Sequence, residues 1–274
     1  MKQFWIRLQS ALIYALVMGG GILWHEYSFG VLFLVITFLS LNEYYNIIHT
    51  KLSDSRVLFL YRPLMVISGL VLFMLFYASA GGYVSFHIMT FAPLLFFLPF
   101  ILELFSSSSN PIHNIGLQLF GFVYLGISFA MVNFVVFHGG GYHAFPLLGI
   151  IVMIWAYDSF AYLVGSRFGK RKLFPRLSPK KSWEGLGGGV VGIVIAAGLL
   201  YLIVPNILLV DWLLIGALII VTGTFGDLVI SLIKRSLQIK DTGSLIPGHG
   251  GILDRFDALI LTIPFAAVYI FFRF

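Results

Sequence analysis

Nine stretches of this chain are apolar for close to the roughly 20 residues that a helix needs to cross a bilayer. They cover about 8–24, 29–48, 63–80, 86–105, 116–137, 146–166, 187–204, 212–233 and 258–272. In hydrocarbon no water satisfies a backbone N–H or C=O, so a spanning segment has to be helical or belong to a closed barrel. Runs this long point to helices. The sequence is 59% hydrophobic and 10% charged, with a mean hydropathy of +0.99, far from the quarter or so of charged residues usual in soluble domains. We therefore expect an all-α polytopic integral membrane protein with about nine transmembrane helices. No soluble block is long enough to stand apart, so residues 1–274 are read as one membrane domain, with less specific helices in 1–145 and the chemistry in 146–274. Lys2 and Arg7 precede the first stretch as in a signal peptide, but 18–24 offers no small-x-small cleavage site, and it is kept as an uncleaved span.

Lysine and arginine accumulate in cytoplasmic loops. With the N-terminus cytoplasmic, every one of the 17 basic residues except Arg273 falls on the inner side. One span missed or added mid-chain would destroy that alternation. The net charge of +6 thus fits membrane orientation and phosphate binding, and no nucleic-acid partner is expected. Absence of cysteine excludes disulfides and thiolate metal sites.

The first half carries few polar residues. Glu43, beside Asn42, is an acid near the end of the second span, expected to lie near the interface among neighbouring helices. The segment His138-Gly-Gly-Gly-Tyr-His143 has two histidines and no acid, which suits a turn better than a metal loop. Further on, Asp158 sits midway through an apolar helix, where a charge costs about 3 kcal/mol on insertion scales. It should face the bundle interior with a partner. The cationic, turn-rich GKRKLFPRLSPKKSWEG follows, with Lys180, Lys181 and Ser182. Its six bases, seven with Arg167 just before it, exceed what orientation requires and suggest contact with phosphate or anionic lipid. Gly188 and Gly192 form a GxxxG read as helix packing; no Walker-type loop is present.

Most of the remaining charge lies between Gly226 and Asp257. Asp227, Ser231 and Lys234 are spaced to share one helix face. Arg235, Lys240, Asp241, the turn Pro247-Gly248-His249-Gly250-Gly251, and then Asp254, Arg255 and Asp257 follow. Phosphoryl and nucleotidyl transfers move a centre surrounded by negative oxygens, so they need cations and positioning more than covalent chemistry. Magnesium prefers a few carboxylates together with substrate phosphates. Asp227 and Asp254 are the first candidates for it, with Asp241 and Asp257 in reserve. Lys234, Arg235, Lys240 and Arg255 could neutralise phosphates, and the backbone at Gly250 and Gly251 could approach an anion. His249 either donates to a phosphate or leaving group, or caps the turn.

As one ordered string, Ser231-x-Ile233-Lys234-Arg235, Lys240-Asp241-x-Gly243 and Pro247-x-His249-Gly250-Gly251-Ile252-x-Asp254-Arg255-Phe256-Asp257 closely resembles the signature of phosphatidate cytidylyltransferases, also called CDP-diacylglycerol synthases. Upstream, Asp158 and Ser178-Pro179-Lys180-Lys181-Ser182-Trp183-Glu184-Gly185 also resemble that family, with Ser182 where threonine is commoner. The resemblance covers roughly 154–257. It implies that CTP and phosphatidate give CDP-diacylglycerol and pyrophosphate, with magnesium and a possible second, monovalent cation. It further implies a homodimer among membrane lipids in the cell inner membrane, with the active site on the cytoplasmic side. On that implication Asp227, Asp254, Lys234, Arg235, His249 and Arg255 would be catalytic. Lys180, Lys181, Ser182, Ser231, Lys240, Gly250, Gly251 and Asp158 would bind substrate. Two other readings stay open: another membrane CTP-using transferase, such as a polyprenol kinase, and a secondary transporter with Glu43, Asp158 and Asp227 on its ion path.

Overall fold

The computed structural model describes residues 2–52, 56–106, 108–245 and 250–274. Among them, eight helical stretches are long and apolar enough to cross a membrane, and Gln9–Trp24 is a shorter ninth. The nine expected stretches are thus all helical. The chain divides into two compact units. One comprises Met1–His143, Asp241–Arg255 and Phe274; the other comprises Ala144–Lys240 and Phe256–Arg273.

In the first unit, α1 (Lys2–Trp24), α2 (Glu26–Leu52) and α3 (Arg56–Ala80) pack in sequence, α1 on α2 and α2 on α3. The expected span at 86–105 is broken into a 3-10 turn (Phe86–Phe91) and two short helices, α4 (Ala92–Phe96) and α5 (Leu98–Leu104). Pro93 and Pro99 fall in the first turns of α4 and α5, where a missing N–H costs nothing. The next helical run starts at Pro111, earlier than expected, as α6 (Pro111–Phe120). It continues through a π-helical segment (Gly121–Ile127) into α7 (Ser128–Val136). At the entry to the π segment the hydroxyls of Tyr44 and Tyr45 donate to the carbonyls of Leu117 and Gln118, both at 2.9 Å. Such donors serve backbone groups that water cannot reach. Phe29, Phe33, Phe73, Phe122 and Phe129 fill this unit's core, each at most 2% exposed.

The glycine segment at 138–143 is a hairpin. Strands β1 (Phe137–His138) and β2 (Gly141–Tyr142) pair antiparallel around Gly139 and Gly140, which both have positive φ, as a two-residue type I′ turn demands. The His138 and His143 rings lie 4.5 Å apart, and His138 Nδ1 sits 3.0 Å from the Val135 carbonyl. Burial, and then the neighbouring His143, lower the pKa of His138 from its usual value.

The second unit is built on α8 (Ala144–Phe168), α9 (Trp183–Ile203), α10 (Leu209–Ser236) and the part of α11 (Leu253–Arg273) from Phe256 onward. Helices α8 and α9 meet along a glycine face. A Cβ at Gly188 would strike Val164, one at Gly189 the Tyr157 ring, and one at Gly192 the Ala156 carbonyl and Phe160. The GxxxG is therefore packing. Helices α10 and α11 approach at Gly226, where a Cβ would meet the Asp257 carbonyl, and Thr222 and Thr262 hydrogen-bond at 2.9 Å. At its N-terminal end α10 carries Asp211, 1% exposed, which accepts from Tyr269 (2.6 Å) and Arg273 (2.8 Å).

Two outcomes follow from this packing. Gly192→Leu should lower the melting temperature in detergent, by an over-packing cost of about 1–3 kcal/mol. Gly198→Leu, where nothing lies within 4 Å of an added Cβ, should leave it unchanged; equal effects would remove the glycine face from the account. For His138, a lowered folded pKa means that the unfolded chain binds the proton more readily. The hairpin's contribution is then complete above the ordinary histidine pKa of about 6.5 and declines as pH falls toward the folded value. Melting curves of wild type and His138→Gln across pH 5 to 8 should converge at the acid end.

Candidate active site

The basic segment after α8 folds back on itself. Strands β3 (Lys172–Phe174) and β4 (Ser178–Ser182) pair antiparallel, with Lys172 opposite Ser182. Both ends of this hairpin are pinned to the start of α9. Ser182, 3% exposed, is the N-cap, its Oγ accepting from Gly185 N at 3.1 Å. The Glu184 carboxylate accepts from the backbone N–H of Lys170 and Arg171 at 3.1 and 3.2 Å. Behind the hairpin the backbones nearly touch, a Cβ on Gly165 lying 3.3 Å from the Gly185 Cα.

This arrangement encloses a cavity of about 550 Å³, lined among others by Asp158, Tyr162, Lys172, Lys180, Lys181 and Ser182. That volume is in the range of small-molecule sites. Three lysines, Lys172, Lys180 and Lys181, line it, so it suits an anion.

Lys181 also reaches Asp227 on α10, its Nζ 2.6 Å from Oδ2, with 26% and 31% of the two side chains exposed. The other oxygen, Oδ1, accepts from Ser231 Oγ at 3.2 Å. One turn earlier, Thr224 donates to the Ile220 carbonyl at 2.6 Å, so the 2.7 Å contact with Tyr157 has the tyrosine hydroxyl as donor. Asp257 on α11 feels the charges of Asp227, Asp158 and Lys181. Three carboxylates thus share one electrostatic neighbourhood with Lys181.

In the first unit Glu43 ties together Thr242, Ile252 and Leu253, on either side of the glycine turn. Its carboxylate accepts from Thr242 Oγ1 (2.6 Å), Ile252 N (2.9 Å) and Leu253 N (3.1 Å). The last two are donors at the N-terminus of α11, where a negative charge is favourable. Asp254 Oδ2 accepts from the N–H groups of Thr242 (2.9 Å) and Gly251 (3.2 Å). Gly250 has φ +85°, and a Cβ on Gly251 would collide with Glu43 and Thr242. The role of Glu43 was not evident from its sequence neighbourhood.

The second unit therefore brings together Asp158, Lys180, Lys181, Ser182, Asp227 and Ser231, adding Lys172, which the sequence did not single out. Asp257 belongs to the same unit. Lys234 and Arg235 close the last turn of α10, and Lys240 and Arg255 are exposed. Asp241, Gly250 and Gly251, with Asp254 in the first turn of α11, belong to the first unit. His249 and Pro247 lie outside the described residues. Among the described residues no three His, Asp or Glu form a group that could hold a metal ion. Asp227 and its neighbours do not make an all-protein cage. They fit the sparser mode of magnesium, one or two carboxylates with phosphate oxygens supplied by substrate.

The cytidylyltransferase family model matches residues 5–273. A phosphatidate cytidylyltransferase of Rickettsia felis is 32% identical over 212 residues, covering 73% of this chain and 88% of that protein. Those of Haemophilus influenzae and Bacillus subtilis are 43% and 48% identical, over 48% and 42% of this chain and 48% and 43% of theirs. The chain thus spans about half the length of these last two relatives.

Glu43→Ala strips the acceptor from two amides, each worth about 1–3 kcal/mol if left unpaired, while the Thr242 hydroxyl keeps Asp254 Oδ2 at 3.0 Å. Hydrogen exchange at Ile252 and Leu253 should accelerate, as should trypsin cleavage at the flanking Lys240 and Arg255. Unchanged exchange would show that the loop holds itself.

Proposed function

Because this chain belongs to the cytidylyltransferase family, we propose that it transfers CMP from CTP to phosphatidate, giving CDP-diacylglycerol and pyrophosphate for phospholipid synthesis. The single observation that carries this reading is the lysine-lined cavity beside the Lys181–Asp227 pair. A triphosphate needs cations in a confined space, and this cavity offers Lys172, Lys180 and Lys181.

In the proposed reaction a phosphate oxygen of phosphatidate attacks the α-phosphorus of CTP. A P–O bond forms there, the bond from the α-phosphorus to the α,β-bridging oxygen breaks, and pyrophosphate leaves with that electron pair. The nucleophile is already ionised at neutral pH, so no residue has to activate it. Charge and alignment are what the protein supplies. Lys180 and Lys172 neutralise phosphate oxygens. Lys181 is held by Asp227 until an incoming phosphate competes for its ammonium. Ser182 fixes the hairpin that carries both lysines, and Asp158 bounds the anion-binding region with negative charge. Asp227 and Asp257 would hold magnesium, which supplies Lewis-acid neutralisation of the phosphates when bound. Asp254 and Asp241 are proposed as further carboxylates of the glycine loop, beside the phosphate-binding Lys240 and Arg255. A second, monovalent cation and a homodimeric state belong to the same proposal.

The chain is an integral membrane protein by its helices. We place it in the cell inner membrane with its N-terminus and basic segments cytoplasmic, on the distribution of lysine and arginine. That orientation brings the cavity to the side where nucleotides are.

Purified protein with labelled CTP, phosphatidate and magnesium should form a CTP-derived lipid and release pyrophosphate, and chelation should stop both. Asp227→Asn, nearly isosteric, should reduce turnover by at least about a hundredfold, about 2.7 kcal/mol of transition-state stabilisation, with unchanged gel-filtration behaviour. Absence of any nucleotide-derived lipid, alongside solute flux in proteoliposomes that depends on Asp158, would replace the enzyme with a transporter.

A further inference from the structure

Helices α2 and α3 of the first unit leave a second concavity, far simpler in chemistry than the lysine-lined one. It is a groove of about 440 Å³ with Phe38 and Asn42 on one wall and Arg62, Val66, Ile67 and Leu70 on the other. Phe38, Asn42 and Asn46 repeat at i, i+4 along α2, and Arg62, Val66 and Leu70 do so along α3. Two helix stripes therefore form the walls, apolar along most of their length and polar at one end.

The polar end is a prepared cation. Arg62 bridges the helices, Nη2 donating to Asn42 Oδ1 at 2.6 Å and Nη1 to Asn46 Oδ1 at 3.0 Å. Both acceptors are neutral amides. Among the described residues no carboxylate pairs with Arg62. A guanidinium carries five N–H donors in a rigid plane, so these two bonds orient it and leave its charge unopposed by any carboxylate among the described residues. An arginine required only for topology could extend into water; this one is tied down by two helix-borne amides at the head of an apolar trough. A planar, fixed guanidinium is matched to phosphate oxygens, and basic pockets between membrane helices are suited to lipid head groups.

We propose that this groove binds one anionic glycerophospholipid of the surrounding bilayer, its phosphate on Arg62 and an acyl chain along Val66, Ile67, Leu70 and Phe38. The site is non-catalytic and belongs to the first unit alone. It goes beyond the proposed transferase reaction and does not depend on it.

The test counts lipids. Native mass spectrometry of the purified protein from mixed micelles should show one phosphatidylglycerol retained in preference to phosphatidylcholine. Arg62→Gln should weaken that retention about tenfold, the worth of one charge-assisted phosphate contact, and Arg62→Lys should restore part of it. Ile67→Trp, which fills the groove and keeps the arginine, should also displace the lipid. A photocrosslinker at Ile67 in otherwise wild-type protein gives a readout that no folding defect in the variants can confuse. It should label phosphatidylglycerol, and excess unlabelled phosphatidylglycerol should suppress the labelling. Equal retention of both lipids, unchanged retention in Arg62→Gln, or crosslinking that anionic lipid does not compete would each overturn the proposal.

Discussion

In an apolar solvent a polar group needs a partner within the protein, and that requirement governs this chain from backbone to site. It makes the long segments helical and explains why tyrosine hydroxyls attend the π-helical break after Phe120. It also sorts the carboxylates. Asp211 is closed off by Tyr269 and Arg273, and Glu43 by a hydroxyl and two backbone amides. These acids fasten elements together. Asp227 differs, because its cationic partner Lys181 lines a cavity.

That difference decides what each can do. A carboxylate whose oxygens are taken up by several fixed donors has no second arrangement of comparable energy. An ion pair about a quarter to a third exposed is screened by solvent and weak enough for a competing anion to exchange into it. The lysine belongs to a short strand, the aspartate to a membrane helix, and Ser231 steadies the aspartate from one turn away. Movement of the ammonium toward a phosphate would leave the carboxylate exposed to a divalent cation, so anion and metal binding would support one another.

The parts legible in the sequence were those with a local period. Span lengths follow from the thickness of hydrocarbon, the Gly139–Gly140 turn from its consecutive glycines, and close helix packing at Gly188 and Gly192 from glycines four apart, though not which helix they meet. Asp227 and Ser231 share a face because the helix repeats every 3.6 residues. The β3–β4 hairpin was not legible, because Lys172 to Ser182 has no apolar alternation to mark two strands. Asp211 passed unnoticed since an acid in a helix's first turn is ordinary, while its partner Arg273 lies 62 residues away. Glu43 is separated from Thr242 by 199 residues, and no window along the chain joins them. Long-range polar pairs are where a local reading ends.

The cations show the same logic from the other side. Arg273 is opposed by a buried carboxylate, and its charge is spent on holding α10 to α11. Lys181 is opposed by a carboxylate within reach of solvent, so its charge can be transferred between partners. Arg62 is held by two amide oxygens, which fix its plane without cancelling its charge. A neutral acceptor and a carboxylate accept the same hydrogen bond, yet only the carboxylate removes the field that would attract an anion. The identity of the partner, more than the presence of the base, separates a structural cation from one that can still bind phosphate.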